Sequence, residues 1–338
     1  MKILKIIGGI IGIVAIGVVG VGFALPDNCH MERTIEINAP ACNVHAVVHQ
    51  IHRFNEYSAW AKKDPSATYV FEGPDVGVGA KMSWSGNEKS VGKGSITLAK
   101  DEPCTAVETD LDFGVDVAKA NWRIEDKGGK SVVVYGFDGD AKGNLMGRYF
   151  NLMIDDFLGP DYEETLAGLK RVVEAGPGDD IAGVSVSLIE AVPMPYACVA
   201  LATSKDPAAI GAALGPAFGQ IMGALGAAGI ASTGPVIVVT LAETPEGFNL
   251  RAGIPIASLP PAPFADPAVE SGDTPAGRVA MYAYTGSYDG LPVAHGKMNA
   301  WLGIHKFKAG SPSWEEFVND PGNTPEAELI TNIYYPLE

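Results

Sequence analysis

The stretch Arg33-Thr-Ile-Glu-Ile-Asn-Ala-Pro40 decides the fold of the first half of the chain. Ile35 and Ile37 share one side of an extended chain and Glu36 takes the other, which predicts a strand with one face toward a core. Ala39-Pro40 then begins a helix, because proline fits the first helical turn. The apolar positions that follow share one helical face: Val44, Val47, Val48, Ile51 and Phe54. This helix must therefore cover a sheet.

Short strand-like segments fill the chain from there to Asp138, separated by turns rich in Gly, Asp and Lys. They are residues 68–72, 80–85, 94–99, 106–113, 117–125 and 131–138. Short strands in series with tight turns predict an antiparallel meander. An amphipathic helix from Leu145 to Glu174 closes the unit, with a kink expected at Gly159-Pro160. We expect a curved sheet that grips this last helix and leaves a space beside it.

Seven motifs are spread over residues 31–174. They are Ile35 to Pro40, Phe54-Asn-Glu-Tyr-Ser-Ala-Trp60, Asp64-Pro65, Gly77-Val-Gly-Ala80, Trp84-Ser-Gly-Asn87, Val91-Gly-Lys-Gly94 and Leu166-Ala-Gly-Leu-Lys170. Together they resemble the polyketide cyclase/START-related (SRPBCC, helix-grip) superfamily, which holds lipid binders, hydrophobic-ligand carriers and a minority of enzymes. Trp60, Trp84 and Trp122 are candidate pocket residues of this unit, and core packing is the alternative for each.

A second unit follows the Gly-, Pro- and Asp-rich residues 175–183, which we interpret as a linker. Residues 184–338 contain an internal repeat, since Cys198-Val-Ala-Leu201 and the helix after it are matched about 80 residues later by Val279-Ala-Met-Tyr282 and a second helix. The two halves also end on similar strands: Ala252-Gly-Ile-Pro-Ile256 and Ile333-Tyr-Tyr-Pro-Leu337. We predict a duplicated strand-helix-strand-strand module.

The second half of this unit carries aromatic motifs: Tyr284-Thr-Gly-Ser-Tyr288, Trp301-Leu-Gly, Trp314-Glu-Glu-Phe317 and the closing strand that ends at Leu337. They resemble the GyrI-like, AraC-effector-binding small-molecule domain, which implies a ligand groove between the two modules. The candidate ligand-binding residues are Tyr282, Tyr284, Tyr288, Trp301, Glu315, Asn332 and Tyr334. The alternatives are core packing for the aromatic rings and a structural role for the carboxylate.

The resemblance also bears on catalysis. GyrI-like proteins often place a Glu on the final strand to attract cationic aromatic ligands, and hydrolytic members use such a carboxylate with an aromatic hydroxyl. Here that position is Asn332, which cannot ionise, and the tyrosine frequent three residues after the Trp is Phe317. We therefore predict no catalytic residue and no cofactor, with a hydrolase or cyclase acting in one of the pockets as the alternative.

Three histidines mark one edge of the first helix: His45, His49 and His52. Together with Glu56 they lie close on the helical wheel, and spacings of four and three can bring imidazoles onto one metal ion. A solvated flank is the rival interpretation. Because no second segment visibly supplies further ligands, we predict no metal and keep the three histidines as weak candidates.

Composition excludes several classes of protein. The chain has 24 Lys plus Arg against 40 Asp plus Glu, a formal charge of −16, and no basic cluster, so we predict that it does not bind nucleic acid. The four cysteines lack a C-x-x-C spacing, which excludes a zinc knuckle and a thioredoxin-type pair. Disulfides among them are permitted outside the cytoplasm, and the sequence leaves the pairing open.

The first 26 residues predict a membrane anchor. Lys2 and Lys5 precede an uncharged apolar run, residues 6–25, that is long enough to span a bilayer as a helix. A signal peptide usually has a shorter apolar region and a better cleavage site than Gly22-Phe23-Ala24, so we favour an uncleaved anchor. The positive-inside rule leaves the N-terminus in the cytoplasm and the rest outside, in the periplasm if the cell is Gram-negative.

The expected protein is α+β: a single-pass transmembrane helix, a helix-grip domain over residues 31–174 and a GyrI-like domain over residues 184–338. The expected function is capture of small apolar or aromatic molecules without transforming them.

Overall fold

The computed structural model describes residues 16–114 and 117–338. The chain divides into two compact units between Ala182 and Gly183, a point inside the predicted linker. Each unit is built on one antiparallel sheet flanked by helices, so the fold is α+β.

The sheet of the first unit has seven strands. They are β1 (Asn28–Ile37), β2 (Thr68–Glu72), β3 (Lys81–Ser85), β4 (Lys93–Glu102), β5 (Ala106–Asp112), β6 (Val117–Asp126) and β7 (Ser131–Asp140). Strands β2 to β7 each pair with the next strand in sequence, as a meander requires, and β1 pairs antiparallel with β7 at the edge. The strand-and-turn pattern therefore predicted this sheet correctly.

The first unit also contains six α-helices among the residues described. They are α1 (residues 16–24), α2 (Ala41–Val48), α3 (Phe54–Tyr57), α4 (Ala59–Lys63), α5 (Leu145–Asn151) and α6 (Ile154–Glu174). The buried stripe of α6 includes Tyr162, Leu166 and Leu169, and the helix lies against β1 and α3. Gly168 permits the contact with α3, because a Cβ there would lie 2.2 Å from the Tyr57 carbonyl oxygen.

The C-terminal helix of this unit differs from the prediction. One helix from Leu145 to Glu174 was expected, and the structure has two, with the interruption at Leu152-Met153 rather than at Pro160. Arg148 and Asn151 hydrogen bond to Asp27 just before β1, which fixes α5 to the end of α1 instead of along the axis of α6. Pro160 lies within the regular helix α6.

The second unit is an eight-stranded antiparallel sheet with two helices of eight residues or more among the residues described. Its elements are β8 (Val186–Ala191), β9 (Pro195–Thr203), α7 (Pro207–Ala228), β10 (Ile237–Glu243), β11 (Phe248–Pro255), β12 (Glu270–Asp273), β13 (Gly277–Thr285), α8 (Leu291–Ile304), β14 (Ser313–Phe317) and β15 (Ile330–Pro336). The spatial order is β12-β9-β11-β10-β14-β15-β13-β8. The units β9-α7-β10-β11 and β13-α8-β14-β15 are the predicted repeat, and they join where β10 pairs with β14.

The two faces of this sheet follow from the strand register, because successive residues point to opposite sides. One row of paired residues lies on the face that carries α7 and α8: Ala252, Val238, Glu315 and Ile333. The next row lies on the opposite face, called the helix-free face below: Gly253, Ile237, Glu316 and Asn332.

Among the described helices, α7 has the length and apolar composition that could cross a membrane. It packs through its three buried residues, Ala217, Ile221 and Leu225, on apolar residues of β9 and β11, and its other residues are partly or fully exposed. Of the predicted anchor, residues 6–25, the part before residue 16 lies outside the described residues, and residues 16–24 form α1.

Candidate functional site

The helix-free face of the second unit carries an aromatic pair at its centre. Trp314 of β14 and Tyr334 of β15 occupy paired positions, and their rings stack with centroids 4.7 Å apart and planes within 6°. Behind them lies a buried cluster that includes Tyr196, Cys198 and Ile237. Trp314 is nearly buried, whereas Tyr334 is partly exposed, so part of the stack faces outward.

A carboxylate lies beside this pair. Glu316 accepts a hydrogen bond from Asn332 Nδ2 at 2.9 Å and another from the Tyr334 hydroxyl at 3.1 Å. Burial, and then the nearby Glu316 carboxylate, raise the pKa of Tyr334 to about 12, so its hydroxyl keeps its proton and donates at neutral pH. Trp314, Glu316, Asn332 and Tyr334 are called the acidic aromatic site below.

The sequence reasoning missed Glu316. Asn332 was correctly judged unable to ionise, but the neighbouring strand supplies a carboxylate to the same face. The alternation of side chains along a strand would have revealed it, because Glu315 and Glu316 must point to opposite faces. The helix-free face therefore carries a carboxylate, Glu316, that was not among the predicted residues.

Glu315 lies on the other face, under α8. Its Oε1 accepts a hydrogen bond from His295 Nε2 at 2.6 Å, and the Tyr335 hydroxyl donates to His295 Nδ1 at 2.9 Å. We assign His295 the neutral tautomer with its proton on Nε2, because the ring can then donate to the carboxylate and accept from the phenol. Burial raises the pKa of Tyr335 to about 12, and a hydrogen bond with Asn299 opposes that rise. Glu315 therefore attaches α8 to the sheet and does not face the acidic aromatic site.

The remaining aromatic candidates of this unit are also directed away from the acidic aromatic site. Tyr282 pairs with Ile333 on the helix side of the sheet, and Tyr284 donates a hydrogen bond to the Ser287 carbonyl at 3.1 Å. Tyr288 packs edge-on against Phe317, with ring centroids 5.3 Å apart. Trp301 in α8 stacks on His305 at 3.8 Å. Of the seven predicted residues, Asn332 and Tyr334 lie at the acidic aromatic site. Tyr282 and Tyr284 contact each other edge-on, with ring centroids 6.4 Å apart, on the other side of the sheet.

In the first unit the space between sheet and helix is occupied by a stack of rings. Trp122 of β6 lies 3.7 Å from Tyr135 of β7, and Tyr135 lies 4.0 Å from Tyr162 of α6, all between nearly parallel planes. Burial raises the pKa of Tyr162 well above its usual value. Trp122 is only 2% exposed, so at the centre of this unit the protein's own rings fill the interior.

The other two tryptophans of the first unit lie toward its periphery. Trp60 contacts Tyr162 edge-on at 5.8 Å between ring centroids. Trp84 donates its indole N–H to the Val91 carbonyl at 3.0 Å and packs near the exposed ring of Phe113. Both are partly exposed, and the structure does not bring them into contact with Trp122.

Two of the three histidine candidates converge on one carboxylate. Asp101 of β4 lies between them, with Oδ1 2.6 Å from His45 Nε2 and Oδ2 3.2 Å from His49 Nδ1. Burial favours a raised pKa for Asp101, but the two histidine hydrogen bonds outweigh it and hold the pKa well below its usual range. Burial also lowers the pKa of His49, against the effect of Asp101. His52 turns away and bonds to the Asp75 carbonyl at 3.1 Å.

A second segment therefore does place a carboxylate beside these histidines, although none was visible in the sequence. Asp101 is 52 residues beyond His49, and only the folding of β4 against α2 brings them together. A disulfide between Cys42 and Cys104 joins the same two segments, while Cys29 and Cys198 are free thiols.

Comparison with known families gives the same two domains in the same order. Residues 28–174 match the family described as polyketide cyclase / dehydrase and lipid transport, and residues 202–338 match the GyrI-like small molecule binding domain. The chain therefore contains a polyketide cyclase-related domain followed by a GyrI-like domain. This confirms the resemblance, and both families point to small-molecule binding. No curated protein matches the chain.

Solved structures with partial similarity include the C-terminal domain of EcmrR, at 17% identity and a TM-score of 0.41, covering 46% of this chain and 98% of that one. A cryo-EM structure of an EcmrR–DNA complex matches at 14% identity and a TM-score of 0.42, covering 58% of this chain and 73% of that one. An uncharacterized conserved protein from Listeria innocua matches at 9% identity and a TM-score of 0.36, covering 46% of this chain and 92% of that one.

Proposed function

We propose that the protein is a membrane-anchored, extracytoplasmic binding protein for small apolar or aromatic molecules, and that its GyrI-like domain takes them at the acidic aromatic site. The observation that carries the proposal is the hydrogen bond from the Tyr334 hydroxyl to the Glu316 carboxylate, together with the stacking of the Tyr334 ring on Trp314. Stacked rings offer a flat ligand an apolar surface, and cations are attracted to such rings by about 0.5 to 2 kcal/mol per contact.

The charge of Glu316 adds a preference among such ligands. The two groups described as donating hydrogen bonds to Glu316 are the Asn332 amide and the Tyr334 hydroxyl. Because both are neutral, neither compensates the negative charge of the carboxylate. A partly buried carboxylate in this position gains most from a ligand that brings a positive charge. The preferred ligand is therefore a flat aromatic cation, with the corresponding uncharged molecule bound more weakly.

The test compares N-methylacridinium, a cation, with acridine, which a mildly alkaline buffer keeps neutral. Binding to the full-length protein in detergent is followed by dye fluorescence. We expect Glu316→Gln to weaken N-methylacridinium binding about tenfold, equivalent to about 1.4 kcal/mol, and to leave acridine binding nearly unchanged. Glu315→Gln is the matched control, because Glu315 is the adjacent residue on the opposite face. Equal losses in the two variants, or for the two dyes, would contradict the proposal.

The anchor is proposed from the apolar run of residues 6–25, and one observation supports the location. The Cys42–Cys104 disulfide suits an oxidising compartment outside the cytoplasm. Carbonate extraction of membranes tests the anchor: the full chain should stay in the membrane, and a chain lacking residues 1–25 should be released. Added protease should digest the globular part only from the outer side.

A second candidate function is hydrolysis at the same place. The resemblance to hydrolytic GyrI-like proteins implies acid/base catalysis by a carboxylate and an aromatic hydroxyl. Glu316 and Tyr334 provide such a pair. The raised pKa of Tyr334 makes its hydroxyl a hydrogen-bond donor at neutral pH and disfavours its action as a base. Mass spectrometry of ligands after incubation decides: unchanged ligands support binding alone, and cleaved products that disappear in Glu316→Gln support hydrolysis.

A further inference from the structure

The cluster of His45, His49 and Asp101 is a compact set of potential metal ligands in the first unit. One donor atom from each side chain lies within 4.8 Å of the others. His45 is only 6% exposed, and His49 and Asp101 are partly buried, so this is not the solvated helix flank that the sequence allowed. Imidazole nitrogens with one carboxylate oxygen suit a first-row divalent ion such as Zn²⁺.

The backbone around the cluster is held in place. His45 is in the last turn of α2 and His49 directly follows the helix, four residues on, so both imidazoles project from one side. The Cys42–Cys104 disulfide connects α2 to the turn three residues beyond Asp101. On a third side the Gly77 amide donates to the His49 carbonyl at 3.3 Å, and a Cβ at Gly77 would lie 3.5 Å from Asp101 Oδ2.

We propose that His45 Nε2, His49 Nδ1 and one carboxylate oxygen of Asp101 bind a single divalent transition-metal ion, with Zn²⁺ as the reference ion. Without metal, the imidazole N–H groups point at the carboxylate. On binding, these two nitrogens become ligands, and each neutral imidazole carries its proton on the other ring nitrogen. Three protein ligands leave a fourth position for water or a ligand atom. His52 takes no part, because it is bonded to the Asp75 carbonyl.

Isothermal titration of the full-length, chelator-treated protein with ZnCl₂ tests the site, and Co²⁺ provides a second readout through its visible d–d bands. We expect one Zn²⁺ per chain and a raised melting temperature when Zn²⁺ is in excess. His49→Gln and Asp101→Asn should each weaken Zn²⁺ binding at least about tenfold, because each substitution changes one of the three proposed metal ligands. His30→Gln is the matched control, because His30 also contacts two carboxylates, Asp138 and Glu32, but is half exposed.

A Zn²⁺ affinity that is equal in the wild type and in both ligand variants would overturn the proposal, as would a loss in His30→Gln of the same size. If Asp101→Asn does not fold, the Zn²⁺ affinity of His49→Gln and the Co²⁺ spectrum of the wild type still test the proposal. Absence of tetrahedral or five-coordinate Co²⁺ bands in the wild type would also contradict the site.

An exposed apolar surface beside α1 carries a second, independent inference. At the junction of α5 and α6 several large apolar side chains are about half exposed or more: Met146, Phe150, Leu152, Met153 and Phe157. Phe150 and Phe157 stack with ring centroids 5.5 Å apart, so the exposed rings of α5 and α6 adjoin each other. These five residues are called the junction patch.

The junction patch is attached to the end of the predicted anchor. The Tyr149 hydroxyl donates to the Val18 carbonyl, and Arg148 binds the Gly22 and Phe23 carbonyl oxygens. Val18 and Phe23 are themselves exposed, and the sequence before them stays apolar back to residue 6. The apolar surface of α1 therefore continues onto the junction patch.

The geometry points to the lipid bilayer as the occupant: the junction patch lies in the outer interface of the membrane that holds the anchor. This inference rests on the proposed membrane anchoring. Residues at this depth bury apolar area in the acyl boundary while the rest of the unit stays in water.

Brominated phospholipids, which quench tryptophan within the bilayer, test the patch with full-length protein reconstituted into vesicles. Leu152→Trp should add fluorescence that brominated lipid quenches by about half or more. Val70→Trp is the control, because Val70 is as exposed as Leu152 but lies on the edge strand farthest from β1. Unquenched Leu152→Trp in protein that floats with vesicles would overturn the patch alone, whereas failure to float would overturn the anchor.

Discussion

The two units both contain stacked aromatic rings, and they use them differently. In the first unit Trp122, Tyr135 and Tyr162 stack on one another in the centre of the unit, where the rings are nearly fully buried. In the second unit the pair formed by Trp314 and Tyr334 ends at a carboxylate and remains partly exposed. Aromatic content therefore does not locate a binding site in this protein. The site that we propose is marked instead by the carboxylate that borders the rings.

The physical reason is the partner each ring finds. Rings that stack on each other in the core are shielded from water, and their faces are already in contact with other rings. No ring face is therefore left for a ligand to contact. A ring beside a partly buried carboxylate lies next to a negative charge whose hydrogen-bond donors are neutral. A cationic ligand is therefore attracted both to the ring and to the carboxylate.

The largest expected effect is on stability in the first unit. Tyr162→Ala removes a buried ring from the stack and should lower the free energy of unfolding by about 3 to 5 kcal/mol. Hydrogen exchange at the amides of α6 measures this unit separately from the other. Tyr162→Phe keeps the ring and loses only the hydroxyl bonded to Tyr135, so it should cost about 1 kcal/mol. A weaker N-methylacridinium affinity in folded Tyr162→Ala would contradict the division of roles between the units.

A smaller effect is expected at the acidic aromatic site. Tyr334→Ala removes one of the two stacked rings and should weaken N-methylacridinium binding about tenfold. Tyr334→Phe keeps the ring and removes only the hydroxyl donated to Glu316, so its affinity should change by less than about threefold. Dye titrations of both variants give the comparison. If Tyr334→Phe weakens binding as much as Tyr334→Ala does, the hydroxyl rather than the ring recognises the ligand.

The smallest effect is the pH dependence of Tyr334. Its pKa is about 12 in the folded protein, and an unfolded tyrosine ionises near 10, so the fold favours the neutral phenol. This contribution to stability is fully present below pH 10 and is lost as the pH rises from 10 toward 12. Absorbance titration near 295 nm should show one tyrosinate fewer near pH 12 in Tyr334→Phe. The buried Tyr162 should titrate only when the first unit unfolds.

The candidate sites were predictable only in part. Asn332 and Tyr334 were found from a motif, and His45 and His49 from helical spacing, because both signals are local. Their partners were missed for two different reasons. Glu316 was visible in the motif, and strand alternation places it on the face opposite Glu315, but the prediction named only Glu315. Asp101 lies in another segment, and no local pattern marks it as a neighbour of a helix so far back in the chain.

The meander of the first unit, the repeat in the second and the two domain families were determined by the sequence alone, because alternation, turn residues and short motifs are local properties of the chain. Only the tertiary structure decided which aromatic rings fill the core of the first unit, that Glu316 joins the rings of the second, and that Asp101 meets two histidines. Those outcomes depend on strand register and on contacts between distant segments, which arise only when the whole chain packs.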